Sequence, residues 1–447
     1  MRTPETAPDF PSVAQDISAE DFRLLANHIT PLPGGRYLHW DDLRYREPPA
    51  GLTRNAWWAS VLLGRSSLLQ NLPLLDKGGK PFRFATPSPV LIDLHHIDRD
   101  AAGQIHSPTG GAIKEDPKRY LMSSLIEEAI TSSQLEGAST TRQVAADMLR
   151  SGRKPRDLSE KMIFNNYRAM DHLRSIKNEK LTPGHILELH RILTDETLDE
   201  PSDAGRLRQA DDIKVIDPRD GTLLHEPPSH LELPERLERI CAFANSDETS
   251  TPFVHPVLRA IILHFMIGYD HPFVDGNGRT ARALFYWSIA RSGYWLMEYT
   301  SISHIIRRAP ARYMRAYLHT ETDGNDTTYF LIHQLLTIRK AISALHEYLD
   351  RKGREQKETE KLLSASQKLR GKFNHRQVAL LTHALRNTGE GYRLDAHQRS
   401  HNVVYQTARN DLLGLLELGL LEKVTQGNAF IFYAPEDLRE RLSELAS

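Results

Sequence analysis

The sequence predicts a mainly α-helical protein that carries a few short β-hairpins. Apolar residues recur at helical spacing along most of the chain after residue 115. That periodicity breaks between 205 and 228, and the C-terminal part ends in a second hairpin pattern. At 447 residues the chain is long for a single core. We therefore expect an N-terminal accessory region, a helical domain, a helical linker and a C-terminal unit, at residues 1–115, 116–345, 346–371 and 372–447.

The composition is that of an ordinary folded protein. The net charge is −1 and hydrophobic residues make up 40% of the chain, so nothing demands a nucleic-acid or membrane partner. No apolar run approaches the roughly 18–20 residues that span a bilayer, and the N-terminus lacks the apolar core of a signal peptide. The one cysteine, Cys241, excludes an intramolecular disulfide and a Cys-rich zinc site. We expect a buried, inert thiol and a reduced, cytoplasmic compartment.

The N-terminal region contains one helix signal and one hairpin signal. Its first ~18 residues are polar and contain proline, which predicts poor order. Thr53 starts a helix in which Trp57, Trp58 and Val61 form an apolar stripe. The turn at 76–79 lies between two apolar runs and predicts a hairpin.

From residue 116 onwards the pattern is helical. Asp116 and Pro117 are typical of a helix start, and Gly137 is typical of its end. Further helical patterns cover residues 158–177, 183–194, 232–246, 256–270, 279–292 and 326–352. Two apolar runs at 213–216 and 222–224, joined by a turn, predict a β-hairpin or an extended loop.

The C-terminal part begins with a Lys- and Glu-rich stretch, 351–372, that predicts a helical linker or a solvated helix. Helical patterns follow near 375–386 and 402–418, and then two apolar runs flank a turn at 426–428. Helices followed by a hairpin in this compact order predict a winged helix.

The residues best suited to chemistry lie in one loop, from His271 to Gly278, between two apolar helices. Gly276 and Gly278 let backbone N–H groups wrap an anion. The loop leads into a helix N-terminus, which favours phosphate. Asn277 adds an amide donor.

Charged groups complete this loop. Arg279 and Arg282 are three residues apart, so we expect both to project from one face of the first helical turn as forked phosphate clamps. Asp275 offers hard oxygen ligands for a Mg²⁺ that bridges phosphates. His271 is the group whose ordinary pKa suits a base near neutrality. Each residue alone has an ordinary structural explanation, but their joint occurrence favours a functional site.

The run from His271 to Arg282, His-Pro-Phe-Val-Asp-Gly-Asn-Gly-Arg-Thr-Ala-Arg, resembles the signature of the Fic (filamentation induced by cAMP) family. That signature is His-x-Phe-x-Asp/Glu-Gly-Asn-Gly-Arg-x-x-Arg, and no position departs from it. The helices at roughly 116–345 also resemble a Fic core. The resemblance implies a protein adenylyltransferase. His271 would deprotonate a Tyr, Thr or Ser hydroxyl of a target protein, which attacks the α-phosphate of ATP and releases pyrophosphate.

The same resemblance implies the remaining ligand contacts. Asp275 would hold Mg²⁺, and the backbone of 276–278 would bind α- and β-phosphate oxygens. The outer phosphates would go to Arg279 and Arg282. The resemblance also assigns Thr280 and Ser132 to ATP binding, and places Tyr313 near the adenine.

The helix end Ser132-Ser133-Gln134-Leu135-Glu136-Gly137 resembles the family's inhibitory motif, Ser/Thr-x-x-x-Glu-Gly/Asn. In relatives that carry this motif within the chain, the glutamate pairs with the second signature arginine and denies it to the γ-phosphate. The resemblance therefore implies that Glu136, followed by Gly137, inhibits the enzyme through Arg282. In some relatives the glutamate activates water to remove AMP, so an enzyme that mainly removes AMP is an alternative.

The segment from Gly205 to Arg208 and the hairpin after it resemble the family's flap, which aligns an extended target segment by main-chain pairing. The expected target-binding residues are Ile213, Lys214, Val215 and Ile216. Asp211 and Asp212 depart from the commoner flap pattern, so the resemblance implies no particular target.

The expected partners are ATP and a target protein, which includes the chain itself. The sequence leaves two further partners undecided. One is a second copy of the chain in a homodimer, and the other is DNA, which would contact outward residues of the winged helix such as Gln406, Arg409 and Asn410. Acidic residues offset the basic ones there, so a protein-interaction role is equally open.

The same residues leave two alternative functions open and disfavour a third. One is a nucleotide-sensing, DNA-binding regulator without transfer activity. A second is a Fic enzyme that moves phosphate or phosphocholine. A metal hydrolase is disfavoured, because His255, His264 and His271 give no clear ligand triad.

Overall fold

The structure is a computed structural model that describes residues 2–102, 117–217, 219–364, 371–387, 390–426 and 429–446. The predicted helix start at Asp116 and the predicted turn at 427–428 lie outside these residues. Within them the prediction of a mainly α-helical protein is confirmed.

The helices are numbered in chain order. They are α1 Phe10–Ala14, α2 Ala19–Leu25, α3 Trp40–Leu43, α4 Arg54–Ser66, α5 Ser88–Ile97, α6 Pro117–Leu135, α7 Arg142–Ser151, α8 Leu158–Ser175, α9 Pro183–Thr194, α10 Leu233–Ala244, α11 Pro256–Asp270, α12 Asn277–Arg291, α13 Ile302–Arg307, α14 Pro310–Thr322, α15 Thr328–Ser364, α16 His375–Ala384, α17 Leu394–His401, α18 Tyr405–Glu417 and α19 Leu438–Ala446.

The strands form three small antiparallel sheets. They are β1 Gln70–Leu75, β2 Pro81–Phe84, β3 Val215–Ile216, β4 Leu223–His225, β5 Gly391–Arg393, β6 Glu422–Gln426 and β7 Ala429–Tyr433. β1 pairs with β2, β3 pairs with β4, and the third sheet has the order β5–β7–β6. Within the described ranges, each helix is too short or too polar to cross a bilayer.

The first residues of the chain are ordered, so the prediction of poor order there is wrong. Asp9 caps α1 by accepting a hydrogen bond from the backbone N–H of Ser12 at 3.0 Å. Val13 is buried, and the indole of Trp58 donates to the Pro8 carbonyl at 2.9 Å. Burial against the apolar stripe of α4 therefore orders a segment whose composition is polar.

The predicted hairpin at 76–79 is the turn between β1 and β2. Its apolar side chains, Leu72, Leu74, Phe82 and Phe84, lie in the same core as α11, α12 and α15. Phe82 meets Phe265 of α11 edge to face, with ring centroids 5.3 Å apart. The packing therefore continues across the expected boundary at residue 115.

The helices α11 and α12 form the centre of the molecule. Both are buried along nearly their whole length, which is typical of a helix surrounded by others. His255 caps the start of α11 by accepting from the N–H of Val257, and His271 ends it with a left-handed backbone at φ 44°. α12 begins at Asn277, two residues before the predicted start. These ends fix the loop of residues 271–276, which joins the two helices.

The long helix α15 runs through the predicted start of the linker at 346 and ends at Ser364. The C-terminal unit follows in the order α16, β5, α17, α18, β6, β7, with its own apolar core. Its helix α17 packs against α6 and α7. The sequence patterns did not predict α1, α2, α3, α5, α7, α13, α14, α17 or α19.

Candidate active site

The imidazole of His271 lies at the end of α11, where the left-handed backbone turns the chain out of the helix. Its Nδ1 is 2.9 Å from the Gly268 carbonyl oxygen. Because a carbonyl only accepts, Nδ1 carries the proton and the lone pair lies on Nε2. Burial lowers the pKa of His271 from its ordinary value. The ring is therefore neutral, and Nε2 is the nitrogen that can accept a proton.

The loop is braced by its own polar side chains. Asn277 accepts from the Phe273 N–H at 3.0 Å and donates to the Phe273 carbonyl at 2.8 Å. Thr280 donates to the Gly276 carbonyl at 2.9 Å. Both side chains are buried, so they rigidify the loop. The Asn277 carboxamide thus braces the loop at Phe273, and the role of Asn277 in nucleotide binding stays a prediction.

Both glycines of the loop lie against neighbouring groups. Gly276 has φ 80°, and a Cβ there would be 2.9 Å from the Thr194 methyl group on α9. A Cβ on Gly278 would collide with the Glu136 carboxylate oxygen and lie 3.0 Å from Arg282 Nη1. A carboxylate of the chain itself therefore lies against Gly278, in the first turn of α12 where the sequence predicts the anion cradle.

Arg279 and Arg282 diverge, so the prediction that they project together is wrong. Arg279 is fully buried and turns to α9, where it donates to the Leu193 carbonyl at 3.1 Å and to Asp275 Oδ2 at 3.1 Å. Asp275 is four residues before Arg279, so this ion pair forms between neighbours in sequence. Arg279 therefore orients the Asp275 carboxylate.

Arg282 turns to the C-terminus of α6. It donates to the Ser132 hydroxyl at 2.9 Å, to the Ser132 carbonyl at 3.0 Å and to Glu136 Oε1 at 2.9 Å. Arg282 is buried and the Glu136 side chain is 25% exposed. Gly137, at φ 95°, closes the end of α6, and the next N–H donates to the Ser133 carbonyl. The structure thus joins Ser132 and Glu136 of the predicted inhibitory motif to Arg282.

The helix α6 is held in place by a buried glutamate that sequence reasoning missed. Glu128 accepts from the hydroxyls of Ser301, Ser303 and Tyr286. Burial raises the pKa of its carboxyl. No local signal could have found it, because its partners are 158 or more residues away in the chain.

Asp275 is the group in this loop that fits a metal. Its side chain is 55% exposed, and carboxylate oxygens suit Mg²⁺, which takes few protein ligands when phosphates supply the others. Among the described residues no group of three or more potential ligands gathers around one point. The residues therefore fit a cation shared with a nucleotide rather than a metal centre made by the protein alone.

The predicted flap hairpin is formed by β3 and β4, in the register Val215↔His225 and Ile216↔Leu223. Of its predicted contact residues, Lys214 and Ile216 are exposed and Ile213 and Val215 are half-buried. His225 ties β4 to the end of α11, since its Nε2 is 2.7 Å from the Tyr269 carbonyl. The hairpin is therefore held at the end of α11, beside the His271 loop.

Tyr313 and His264 form a buried contact behind Arg282. The Tyr313 hydroxyl is 2.8 Å from His264 Nε2 and 3.3 Å from the Tyr317 hydroxyl. The Tyr313 ring is only half-buried, so part of it stays accessible. His264 is fully buried and His255 pairs with Asp98 at 3.3 Å, so the two histidines have separate structural contacts.

The buried thiol of Cys241 agrees with the sequence-based expectation. Burial raises its pKa to about 12, which leaves the thiol protonated and inert at neutral pH.

Comparisons with known proteins agree with this geometry. Residues 180–289 match the model of the Fic/DOC family. The chain is 29% identical over 198 residues to proteins named "Protein adenylyltransferase Fic" from Drosophila sechellia and Drosophila melanogaster. Each match covers 44% of this chain and 37% of the relative, so the chain matches less than half the length of these curated relatives.

The fold is similar to that of a Fic family protein from Desulfovibrio desulfuricans G20. Its crystal structure aligns with a TM-score of 0.50 and 17% sequence identity, over 78% of this chain and 97% of that chain. The signature loop, the family match and the shared fold lead to one assignment. The chain is similar to the Fic/DOC family over residues 180–289, which include the signature loop.

Proposed function

We propose that this protein transfers AMP from ATP to a Tyr, Thr or Ser hydroxyl of a target protein and releases pyrophosphate. The observation that carries the proposal is the Glu136 carboxylate against Gly278 at the N-terminus of α12. An anion of the chain already uses the place where the phosphates of a nucleotide would bind. The names of the Drosophila relatives support the same activity.

In this mechanism Nε2 of His271 takes the proton of the target hydroxyl. The hydroxyl oxygen forms a bond to the α-phosphorus, and the bond from that phosphorus to the β-phosphate oxygen breaks. The backbone N–H groups of 276–278 bind the phosphate oxygens, and Arg282 binds the outermost phosphate. Asp275, oriented by Arg279, would hold Mg²⁺, which neutralises charge on the phosphates. The catalysis consists of positioning and charge stabilisation.

We further propose that Glu136 inhibits transfer by occupying Arg282 and the cradle. A charge-assisted pair of this kind is worth roughly 1.5–3 kcal/mol, which corresponds to about 10- to 100-fold weaker productive ATP binding. The test is incubation of Glu136→Gly with α-labelled ATP, Mg²⁺ and a lysate. Label should enter protein at a raised rate, and Glu136→Gly/His271→Ala should incorporate none. Absence of label from the Glu136→Gly protein would contradict the transferase proposal.

The mass added to the modified protein separates the alternative transfers. An increase that matches AMP supports adenylylation, whereas phosphate and phosphocholine are lighter. Loss of AMP from a modified target with wild-type protein would favour the enzyme that mainly removes AMP. A protein that binds nucleotide and DNA but transfers nothing would be the sensing regulator.

We propose that the C-terminal unit is a winged helix and that the protein works in the cytoplasm. The winged-helix proposal is supported by the order helix, strand, helix, helix, hairpin and by the sheet order β5–β7–β6. The exposed face of α18 carries Gln406, Arg409 and Asn410 and is the proposed contact surface for DNA or protein. Sedimentation with and without a DNA duplex tests this contact and a homodimer together.

A further inference from the structure

We infer that Arg208 and His190 are positioning residues that lock the His271 loop to the base of the flap. The inference rests on the proposed function, because it concerns how the base and the target strand are held in register. Neither residue belongs to the signature. Both act on backbone groups of the loop, one near each end.

Arg208 connects both ends of the flap to the residue that carries the base. Its Nε donates to the His271 carbonyl at 3.0 Å, and its own backbone N–H donates to the Pro272 carbonyl at 2.9 Å. Its Nη1 donates to the Ala210 carbonyl at 2.8 Å, and its Nη2 donates to the Pro228 carbonyl. One buried guanidinium thus joins residues before the flap, after the flap and at the base of the imidazole.

The charge of Arg208 is balanced on the flap side. Asp211 Oδ1 accepts from Arg208 Nη1 at 2.9 Å and from the backbone N–H of His230 at 2.6 Å, and Oδ2 accepts from Ser229 at 3.0 Å. The Arg208 side chain is 1% exposed, and a buried charge is tolerated only with such partners. Asp211, which departs from the commoner flap pattern, therefore closes the base of the flap.

His190 makes the second link, at the other end of the loop. Its Nε2 is 2.9 Å from the Asp275 carbonyl oxygen, and its Nδ1 accepts from the Gly205 N–H at 3.0 Å. These partners define a neutral ring with its proton on Nε2. The ring also stacks on Phe273, with centroids 3.7 Å apart. Gly205 has φ 77°, and a Cβ there would be 2.9 Å from the Arg191 side chain, so the contact requires glycine.

The two links give the loop a fixed geometry relative to the hairpin. Arg208 binds the loop at 271 and 272, beside the base. Gly205 is joined through His190 to the carbonyl of 275, the residue proposed to hold Mg²⁺. Lysine cannot replace Arg208, because one ammonium cannot reach carbonyls that lie in several directions around a planar guanidinium. A shift of about 1 Å in a reacting group costs about 100-fold in rate.

The kinetic test uses the full chain with Glu136→Gly as the parent. Arg208→Lys and His190→Gln should each lower kcat for AMP transfer by up to about 100-fold and leave the Kd for ATP unchanged. Arg239→Lys is the matched control, since Arg239 is exposed and pairs with Glu235 on α10. A weaker ATP affinity in step with kcat, or an unchanged kcat, would overturn the positioning role.

Hydrogen exchange provides a readout that does not depend on activity. In Arg208→Lys, amide exchange should become faster in both 213–226 and 271–276, with the thermal midpoint retained. Faster exchange in only one of these segments, or in neither, would overturn the link. If Glu136→Gly itself transfers no AMP, the proposed function fails, while the exchange pattern still decides whether Arg208 joins flap and loop.

Discussion

Oε1 of Glu136 lies 2.9 Å from Nη2 of Arg282 and directly against the backbone of Gly278. One carboxylate therefore contacts both the guanidinium and the helix N-terminus that we propose as the phosphate-binding groups. Mutations can separate the two contacts. The contact with Arg282 depends on the charge of Glu136, and the contact with Gly278 depends on the space that the carboxylate fills.

Glu136→Gln tests the charge. The amide keeps the size of the side chain but replaces the ion pair by a hydrogen bond from the Arg282 guanidinium to a neutral acceptor, which is weaker. We expect the rate of AMP transfer to lie between that of the wild type and that of Glu136→Gly. The gain over wild type should come from a lower KM for ATP. Steady-state kinetics with varied ATP measure it. A rate equal to that of wild type would show that the charge of Glu136 does not restrain the site.

Gly278→Ala tests the space. An added Cβ would collide with the Glu136 carboxylate, and overpacking of this kind costs about 1–3 kcal/mol. The alanine should therefore lower the free energy of unfolding in the wild-type background and have a much smaller effect in Glu136→Gly. A double-mutant cycle from denaturant unfolding measures the coupling. Equal losses in both backgrounds would contradict the placement of Glu136 in the cradle.

The sequence predicted the helices whose starts and apolar spacing are local. Thr53, Asp157 and Thr182 cap α4, α8 and α9 close to the predicted starts. The helix α7 was missed although its signals are local, with Thr141 as its N-cap and a buried face that includes Met148 and Leu149. α14 was missed because four of its thirteen residues are charged or histidine.

The signature predicted which residues gather at the site, but not where each side chain turns. Arg279 and Arg282 have the same spacing that would place them on one face, yet their partners lie 86 and 150 residues away along the chain. Long-range packing decides their rotamers, and spacing contains no information about it. His190 had no signal at all, because a histidine in an apolar helix is ordinarily a packed core residue.

The pH dependence of transfer reports the base. Burial lowers the pKa of His271 below 6.5, and His225, Glu136 and Arg208 are the charged or titratable groups that also act on it. The neutral ring is the active form, so the rate should fall as the pH drops and stay level above neutrality. The acid limb should lie below pH 6.5 in the Glu136→Gly protein. A limb centred above pH 7 would mean that another group limits the reaction.

Arg279→Lys tests the support of Asp275. Lysine cannot hold the Leu193 carbonyl and the Asp275 carboxylate together as the guanidinium does. The carboxylate should then lose its orientation, and the Mg²⁺ concentration for half-maximal transfer should rise. Titration of Mg²⁺ at saturating ATP measures this. An unchanged requirement would show that Asp275 needs no orientation by Arg279.

The attachment of α6 also predicts how inhibition is lost without any change at Glu136. Glu128→Ala removes the carboxylate that accepts from Ser301, Ser303 and Tyr286, and leaves three buried hydroxyls with one acceptor fewer. We expect a loss of about 1–3 kcal/mol in the free energy of unfolding. We also expect a higher transfer rate, because α6 carries Ser132 and Glu136 to Arg282.

The neighbouring Glu127 supplies the control for this prediction. Its carboxylate pairs with two exposed side chains, Arg142 at 2.7 Å and His304 on α13 at 3.2 Å, and such pairs are worth at most about 1 kcal/mol each. Glu127→Ala should therefore change neither stability nor transfer by much. Stability is measured by denaturant unfolding and transfer by label incorporation in the otherwise wild-type chain. A destabilised Glu128→Ala protein with no gain in transfer would show that Glu136 finds Arg282 without help from the anchored helix.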